Sequence, residues 1–530
     1  MSGILLMLIS SVLISPELKA QLQNAQDDEK ITAIIVMNAD YPYAAVENLP
    51  VKEKAQIFKE IARNSQQDLI DYLNQFPEEV FEIRQFWVFN GLHITASKRV
   101  ISALFKREDI KYISHNGIIK LPKDEKIFDT RPVGWNIRKI MADSCWNAGY
   151  NGEDILIGIT DTGCDFTHPA LQGKWSGYWR DCVNAQAQPY DDNGHGIFCS
   201  GIICGGDGFG PFAEDIGVAP GAKLVVAKVF DQNGASQYVW IDAGMQWLAD
   251  LKVDSGVDIR AVSNSWGGNT YDLHFWNICL TWKSIGILGI WSIGSSGPGQ
   301  GTCSAPGNYP LVLGCGATDT SDVVASFSAR GPAPNQPPWN DTLYWFRRDW
   351  NLTKPDVVAP GVSIRSSYNN GSYTIMNGTS WTNPHAAGGV AIMCQAKPNL
   401  TVTQLYNLFL DNADTVPGGY GWPNNTYGWG RINLWRSLQS ALNVEEINTK
   451  ELSEIIIIPN PCRGILKINL GGNYDCHLTI YDATGREVFN TGLEGRFRIL
   501  KLPERMNSGI YFFKFGLPDK FLVKKVLLVK

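Results

Sequence analysis

"ILIGITDTG", residues 155–163, is a short apolar run that ends on a carboxylate and breaks at once into a Thr-Gly turn. It is too short for a stable helix and rich in isoleucine, so it reads as a buried strand. Four similar runs follow: "KLVVAKVF" (223–230), "IRAVSNS" (259–265), "GILGIWSI" (286–293) and "LVLGCGA" (311–317), with helix-length segments between them. Apolar strands alternating with helices predict an α/β domain over residues 135–445, a parallel sheet covered by helices on both faces. In such folds the reacting groups gather at the carboxyl ends of strands, and Asp161 stands at one.

Two further segments supply partners for that carboxylate. In "DDNGHGIFCSGII" (191–203), His195 lies between two glycines at the start of an apolar helix. In "MNGTSWTNPHAAGG" (376–389), Ser380 precedes an Ala/Gly-rich run that tolerates Pro384 in its first turn. A serine caps a helix well, and the positive helix end also suits an anion formed during chemistry. An acid, a base and a nucleophile in the order Asp, His, Ser differ from the chymotrypsin and α/β-hydrolase orders. The order, with no G-x-S-x-G elbow, argues against an esterase or lipase.

Residues 135–445 resemble the catalytic domain of the subtilisin-like serine peptidases, the subtilases. The resemblance rests on "DTG", "GHG" and "GTSxxxPHxAG", in family order and 34 and 185 residues apart (195 − 161; 380 − 195). "VAPGAKLVVAKVF", "APGNYP" and "KPDVVAPG" match family segments as well. Each short motif alone occurs in ordinary turns; three in order are far more specific. The resemblance implies that Ser380 attacks a peptide carbonyl, that His195 takes its proton, and that Asp161 holds the imidazole. It also implies an oxyanion hole from the Ser380 N–H and the side chain at position 295. Ser265, Trp266 and Gly267 of "NSWGG" are implied to form an extended strand that pairs with substrate backbone. His168 and His385 belong to family motifs without a place in the mechanism.

The chain departs from the family at three positions. Ser295 replaces the usual oxyanion asparagine, and a hydroxyl reaches less far than an amide. Ile197 replaces a threonine. Trp381 replaces a methionine, and is expected to crowd the nucleophile and narrow the range of substrates. These departures keep a second class open, a catalytically impaired surface-binding pseudopeptidase.

The flanking segments suggest an exported precursor. Residues 1–20 carry an apolar stretch from Ile4 to Ile14 and a small residue, Ala20, and read as a secretory signal. Residues 31–121 show the order β-α-β-β-α-β of a ferredoxin-like module, with "YISHNGIIKL" as its last strand, and resemble the inhibitory propeptide of subtilases. Residues 455–530 carry strands broken by turn residues, the pattern of a small β-sandwich. "IIPNP", "IYDATGREV" and "SGIYFFKF" make this tail similar to C-terminal sorting domains of type IX secretion. A secreted or cell-surface location, a secretion-machinery partner and a monomer follow as expectations.

The 530 residues carry a net charge of −6, which argues against a nucleic-acid partner. Eleven cysteines include several inside apolar stretches, where a free thiol is expected; Cys462 and Cys476 leave a pairing open. No H-E-x-x-H or C-x-x-C occurs, so neither a catalytic metal nor a cofactor is expected. A structural calcium ion is common in the resembled family, and "GGDGFGPFAEDIG" (205–217) is the loop considered for it, with ligands unassigned. Asp191 and Asp192 read as capping groups, calcium ligands or solvated charges, with the last favoured.

Overall fold

The structure, a computed structural model, describes residues 12–530 except 48, 123–125, 128–133, 209, 213, 417–420, 445–455, 459–461, 463, 470–475, 484, 494–496, 504–505, 518–519 and 529–530. It divides into two compact units, residues 117–444 and a unit that joins residues up to 116 with those from 445 onward.

The unit 117–444 is built on seven strands: β1 (Leu156–Asp161), β2 (Trp175–Asp181), β3 (Lys223–Lys228), β4 (Ile259–Asn264), β5 (Leu288–Ser292), β6 (Leu313–Thr318) and β7 (Val357–Pro360). Every pairing is parallel, in the order β7-β6-β5-β4-β1-β3-β2. Lys228 of β3 stands opposite Asp161, and Asn264 of β4 opposite Thr160, so three strands end together at the level of Asp161. The helices used below are α1 (His195–Cys204), α2 (Tyr238–Asp254), α3 (Trp276–Ser284) and α4 (Thr382–Ala396). The predicted architecture is therefore present, with β2 and β7 as strands not foreseen.

Alternate residues of each strand face opposite layers. Ile157, Ile159, Leu224, Val226 and Ile290 share one core with α1 and α4. Ala227 faces the other way, toward Gly244 of α2. Helix α4 is buried on every side from Thr382 to Cys394, which explains its composition. A helix apolar all round belongs inside a protein, and its small residues let neighbouring chain approach, as Gly388 does toward Val218.

In the other unit, residues 30–115 form the foreseen β-α-β-β-α-β module around Ile31, Ile35, Leu92, Ile94 and Ile113. Its terminal strand ends earlier than expected. Ile110–His115 stays in the module sheet, whereas Ile118–Lys120 pairs with Ala235–Gln237 in the unit 117–444. The residues just before the module are folded onto it. Leu13–Ile14 pairs in parallel with the strand Ile110–His115, and a helix runs from Pro16 to Asn24. Ser15 caps that helix by accepting the Leu18 N–H at 3.2 Å, and Leu18 and Leu22, one turn apart, are buried in the module core. Ala20, the expected cleavage point, thus falls inside a packed helix. Residues 1–11 lie outside the described residues.

The tail folds as two antiparallel sheets over one core, as the turn-punctuated strands suggested. All eleven cysteines are free thiols, Cys462 and Cys476 included. No helix among the described residues is long and apolar enough to cross a membrane.

A fully buried ion pair ties β6 to β7. Lys354 Nζ donates to Asp356 Oδ2 at 2.6 Å, and the same carboxylate accepts from Gly314 N–H, Trp350 Nε1 and Tyr406 Oη. With one partner removed, the other charge stays buried and unpaired, which costs about 3–5 kcal/mol. Lys354→Met is expected to lower the unfolding free energy of the full chain by that amount in a urea titration.

Candidate active site

The carboxyl end of β1 places Asp161, fully buried, against the first residue of α1. His195 Nδ1 lies 2.8 Å from Asp161 Oδ1, which also accepts the Thr162 N–H at 2.7 Å. Two glycines allow this approach. Gly163 turns at φ +127°, and a Cβ there would lie 2.0 Å from the Tyr190 carbonyl oxygen. A Cβ on Gly196 would lie 2.2 Å from the Gly163 carbonyl oxygen. The "DTG" and "GHG" loops are therefore pressed together backbone on backbone, at a distance only glycine permits.

Asp191 and Asp192, read from sequence as solvated, hold this junction instead. Asp191 accepts the N–H groups of Asn193 and Gly194 at Oδ1 and that of Ile197 at Oδ2, so it caps α1. It also accepts the Thr162 hydroxyl, which in turn accepts the Gly196 N–H. Asp192 pairs with Lys228, whose wholly buried Nζ also donates to the carbonyls of Thr162 and Phe230. An aspartate ahead of a helix start was the available signal for Asp191. Nothing local in the sequence marks Lys228 as an internal tie.

Ser380 sits in the short 3₁₀ turn Thr379–Trp381 that leads into α4. Ser265, just past β4, holds it. Ser265 Oγ donates to the Ser380 carbonyl at 2.7 Å, and Ser380 Oγ donates to the Ser265 carbonyl at 3.2 Å. Cys199, one turn along α1 from His195, closes the group, with Sγ 3.2 Å from Ser265 Oγ and 3.9 Å from His195 Nδ1. Burial drives the Cys199 thiol up to about 12, so it stays protonated. The structure thus brings Asp161, His195 and Ser380 into one buried cluster. The Ser380 hydroxyl is turned toward Ser265, and among the described residues nothing hydrogen-bonds His195 Nε2. Nucleophile–base contacts are commonly loose before substrate arrives.

Burial opposes a charged His195. The Asp161 carboxylate outweighs burial and holds the imidazole well above its ordinary value.

The remaining candidates are placed as follows. Ser295 lies past the end of β5 on the surface, its hydroxyl 2.9 Å from that of Thr379. The residues Ser265–Gly267 lie just past β4, outside any ladder among the described residues. Trp266 does not line a cleft with its side chain. Its side chain is buried, with Nε1 donating to Thr160 Oγ1 at 2.8 Å and the ring against Phe275 and Trp291, so only its backbone is available to a ligand. Trp381 likewise does not narrow a cleft. It is fully buried, its ring tilted against those of Phe198 (centroids 4.2 Å apart) and His195 (5.0 Å), where it floors the imidazole.

Sequence reading missed the strand Ala235–Gln237. Ile118–Lys120 lies antiparallel to it, extended by Leu121 N–H to the Gly234 carbonyl (2.8 Å) and Tyr238 N–H to the Gly117 carbonyl (3.0 Å). Gly234 neighbours Asn193, whose Oδ1 accepts the His195 N–H, so the segment reaches the histidine loop. The Asn233-Gly234 turn ahead of Ala235 was the available cue.

The one described cluster of metal-ligating groups is Asp161, His195 and Cys199, the site itself. In the loop 205–217, Asp215 accepts the N–H groups of Asp207 and Gly208, and Asp207 accepts that of Phe212. These carboxylates close their own turns.

A β-turned parallel sheet with an Asp–His pair and a serine at a helix start defines a serine hydrolase site, and comparison with known proteins gives the family. The subtilase family model matches residues 152–430, and a secretion system C-terminal sorting domain matches residues 456–530. The chain belongs to the subtilase family of serine peptidases and carries a sorting tail for type IX secretion, which makes it a secreted or cell-surface protein. It is 30% identical over 424 residues to bacillopeptidase F of Bacillus subtilis (strain 168), covering 72% of this chain and 28% of that protein. It is 28% identical over 359 residues to subtilisin E of the same strain, covering 67% of this chain and 82% of the relative. With serine protease AprX, also from that strain, it shares 31% over 319 residues, 54% and 66% of the two chains. The chain thus spans about a quarter of bacillopeptidase F and most of subtilisin E.

His385 has the structural part expected for it. It is fully buried, with Nε2 2.8 Å from Asn136 Nδ2 and Nδ1 on the Trp381 carbonyl at 2.6 Å. Burial pulls its pKa down to about 4, partly opposed by that carbonyl. The unfolded chain binds a proton near pH 6.5 that the native state refuses until about pH 4. Stability is therefore intact above 6.5 and falls by about 3 kcal/mol as the pH drops to 4. Urea unfolding of His385→Gln at pH 7 and pH 5 should show a smaller pH difference than the parent chain.

Proposed function

We propose that the chain is a serine endopeptidase made as a zymogen, which hydrolyses peptide bonds of proteins or peptides through an acyl-enzyme. The observation that carries the reading is the buried 2.8 Å contact between Asp161 and His195, with Ser380 fixed to the same cluster through Ser265.

Bound substrate brings its carbonyl to Ser380 Oγ, which turns from Ser265 toward His195 Nε2. His195 accepts the hydroxyl proton as Oγ bonds to the carbonyl carbon. Asp161 keeps the proton on Nδ1 and stabilises the imidazolium so formed. The oxyanion meets the Ser380 N–H at the start of the run into α4, aided by the helix end, with Ser295 as the side-chain donor. His195 then returns its proton to the leaving amine, and water repeats the sequence on the acyl-enzyme. No cofactor takes part. A substrate strand would lie along Gly234–Tyr238 as Gly117–Leu121 does, with Ser265–Gly267 at its other edge.

Residues 31–121 act in this reading as the chain's own inhibitor, since their last residues already occupy that edge. The active form is a monomer, and the tail engages the secretion machinery.

The competing class, a pseudopeptidase, draws on the Ser380–Ser265 and Ser295–Thr379 contacts. Self-processing separates the two. The wild-type chain should be cut between Leu121 and Trp135, and Ser380→Ala should stay full length on a denaturing gel; a wild-type chain that is never cut, and never labelled at Ser380 by a phosphonate, sinks the enzyme. Two kinetic outcomes are expected of the purified enzyme. Asp161→Asn should lower kcat about 10⁴-fold and move the acid limb of the pH profile downward, because the neutral base is then available at lower pH. Ser295→Asn should raise kcat by up to about 10²-fold, the size of one oxyanion donor.

A further inference from the structure

The four-stranded sheet of the tail is apolar on both faces. Its strands are Glu487–Leu493, Cys476–Asp482, Gly509–Leu517 and Lys520–Leu528. On the inner face, Leu478, Ile480, Tyr511, Phe513, Phe515, Val526 and Leu528 enter the sandwich core. One sandwich needs only one such face per sheet, and the other normally meets water. Here the alternate positions Tyr481, Ile510, Phe512 and Val523 are apolar too. Tyr481 stands directly across from Phe512, so these side chains form one patch, bordered on the same face by Lys514 opposite Val523.

That patch is covered. Phe512 and Val523 are almost wholly buried, in one cluster with Tyr41, Ala45, Val46, Phe58 and Ala62 of the N-terminal module. Tyr41 stacks on Phe58 at 4.6 Å, and Tyr43 meets Phe58 edge-on at 5.2 Å. The module's own core lies elsewhere, around Ile31, Leu69 and Leu92. Each partner therefore keeps a core of its own and spends a second apolar surface on the other. The two stretches lie more than 400 residues apart in sequence yet fall in one compact unit.

We propose that this surface joins the N-terminal module to the sorting tail after the chain between the module and the peptidase domain is cut. The inhibitor then leaves only with the tail. The inference rests on the reading of residues 31–121 as an inhibitor. Once the bond between Leu121 and Trp135 is broken, no covalent link holds the module. The tail, still bonded to the peptidase domain through residues 445–455, keeps the module at an effective concentration on the order of millimolar. The first cut alone does not free the active site. Removal of the tail, or opening of the shared surface, is the activating event.

The test uses the full chain as Ser380→Ala, with sites for a sequence-specific protease placed in 123–133 and in 445–455 and an affinity tag after Lys530. After both cuts, the tag should recover the N-terminal module together with the tail. Phe512→Asp puts a charge into the patch without touching the sandwich core, and Ala62→Arg does so from the module side. Each should lower the module recovered per tail about tenfold or more. The tail captured without the module in the parent chain, or both variants retaining it like the parent, overturns the proposal. The Ala62→Arg arm decides if Phe512→Asp unfolds the tail. Because the cuts are made by an added protease, an enzyme that fails to process itself leaves this result standing and sinks only the earlier reading. In the active chain, Phe512→Asp should shorten the lag between the first cut and the onset of peptide hydrolysis.

Discussion

The site depends on two glycines in contact. An aspartate at the end of one strand and a histidine 34 residues later can share a proton only if their loops come within van der Waals distance of each other's backbone. Gly163 and Gly196 give that distance, since a Cβ on either would collide with main-chain oxygen. Thr162, Asp191 and Lys228 then fix the junction with hydrogen bonds that involve backbone groups on both sides. Buried backbone donors and acceptors must be paired, so the same bonds that satisfy the loops also fix the imidazole. Position and electrostatics are not separable here. The burial that would keep His195 neutral also strengthens the field of Asp161, and the carboxylate prevails.

The serine is held by a different logic. It stands at the entrance of a helix buried from Thr382 to Cys394, and that helix has almost no freedom to shift against β4 to β7. Ser265 links the helix entrance to the end of β4 with reciprocal hydrogen bonds. The two halves of the site are thus carried by separate elements, α1 with β1 and α4 with β4, and meet over the top of one sheet. Cys199 and Trp381 fill the space between them. One is a small polarisable group beside the imidazole, and the other is an aromatic floor beneath it. The chain's departure at position 381 reads as packing, matched by Phe198 on α1.

Much of this was legible in the sequence. The five apolar runs, from "ILIGITD" to "LVLGCGA", became central strands because fully buried strands advertise themselves through continuous hydrophobicity. Asp161, His195 and Ser380 were legible through the small residues around them, which mark close backbone approach. The misses share a cause. Strand β2 is an edge with polar alternation, and β7 is four residues long and ends in proline, so neither carries the buried signature. The inward turn of Trp381 depends on which face of an element is covered, a tertiary fact. The pairing of Ile118–Lys120 with Ala235–Gln237 joins segments more than 100 residues apart, and neither three-residue strand has a period long enough to read.

The same distinction separates the tail's two faces. Alternation predicts one apolar face per sheet, and "IYFFKF" breaks it with adjacent large residues, Tyr511, Phe512 and Phe513. Read alone, the run is merely hydrophobic. Within the sheet, odd and even positions are sent to opposite layers, and the excess becomes a demand for a second cover. A sheet that buries both faces is stable only in company. A surface of that kind on a segment recognised by export machinery is costly to leave exposed, because open apolar sheet faces associate without discrimination. The module that covers this face is the same one proposed as the inhibitor, so the two proposals rest on one segment.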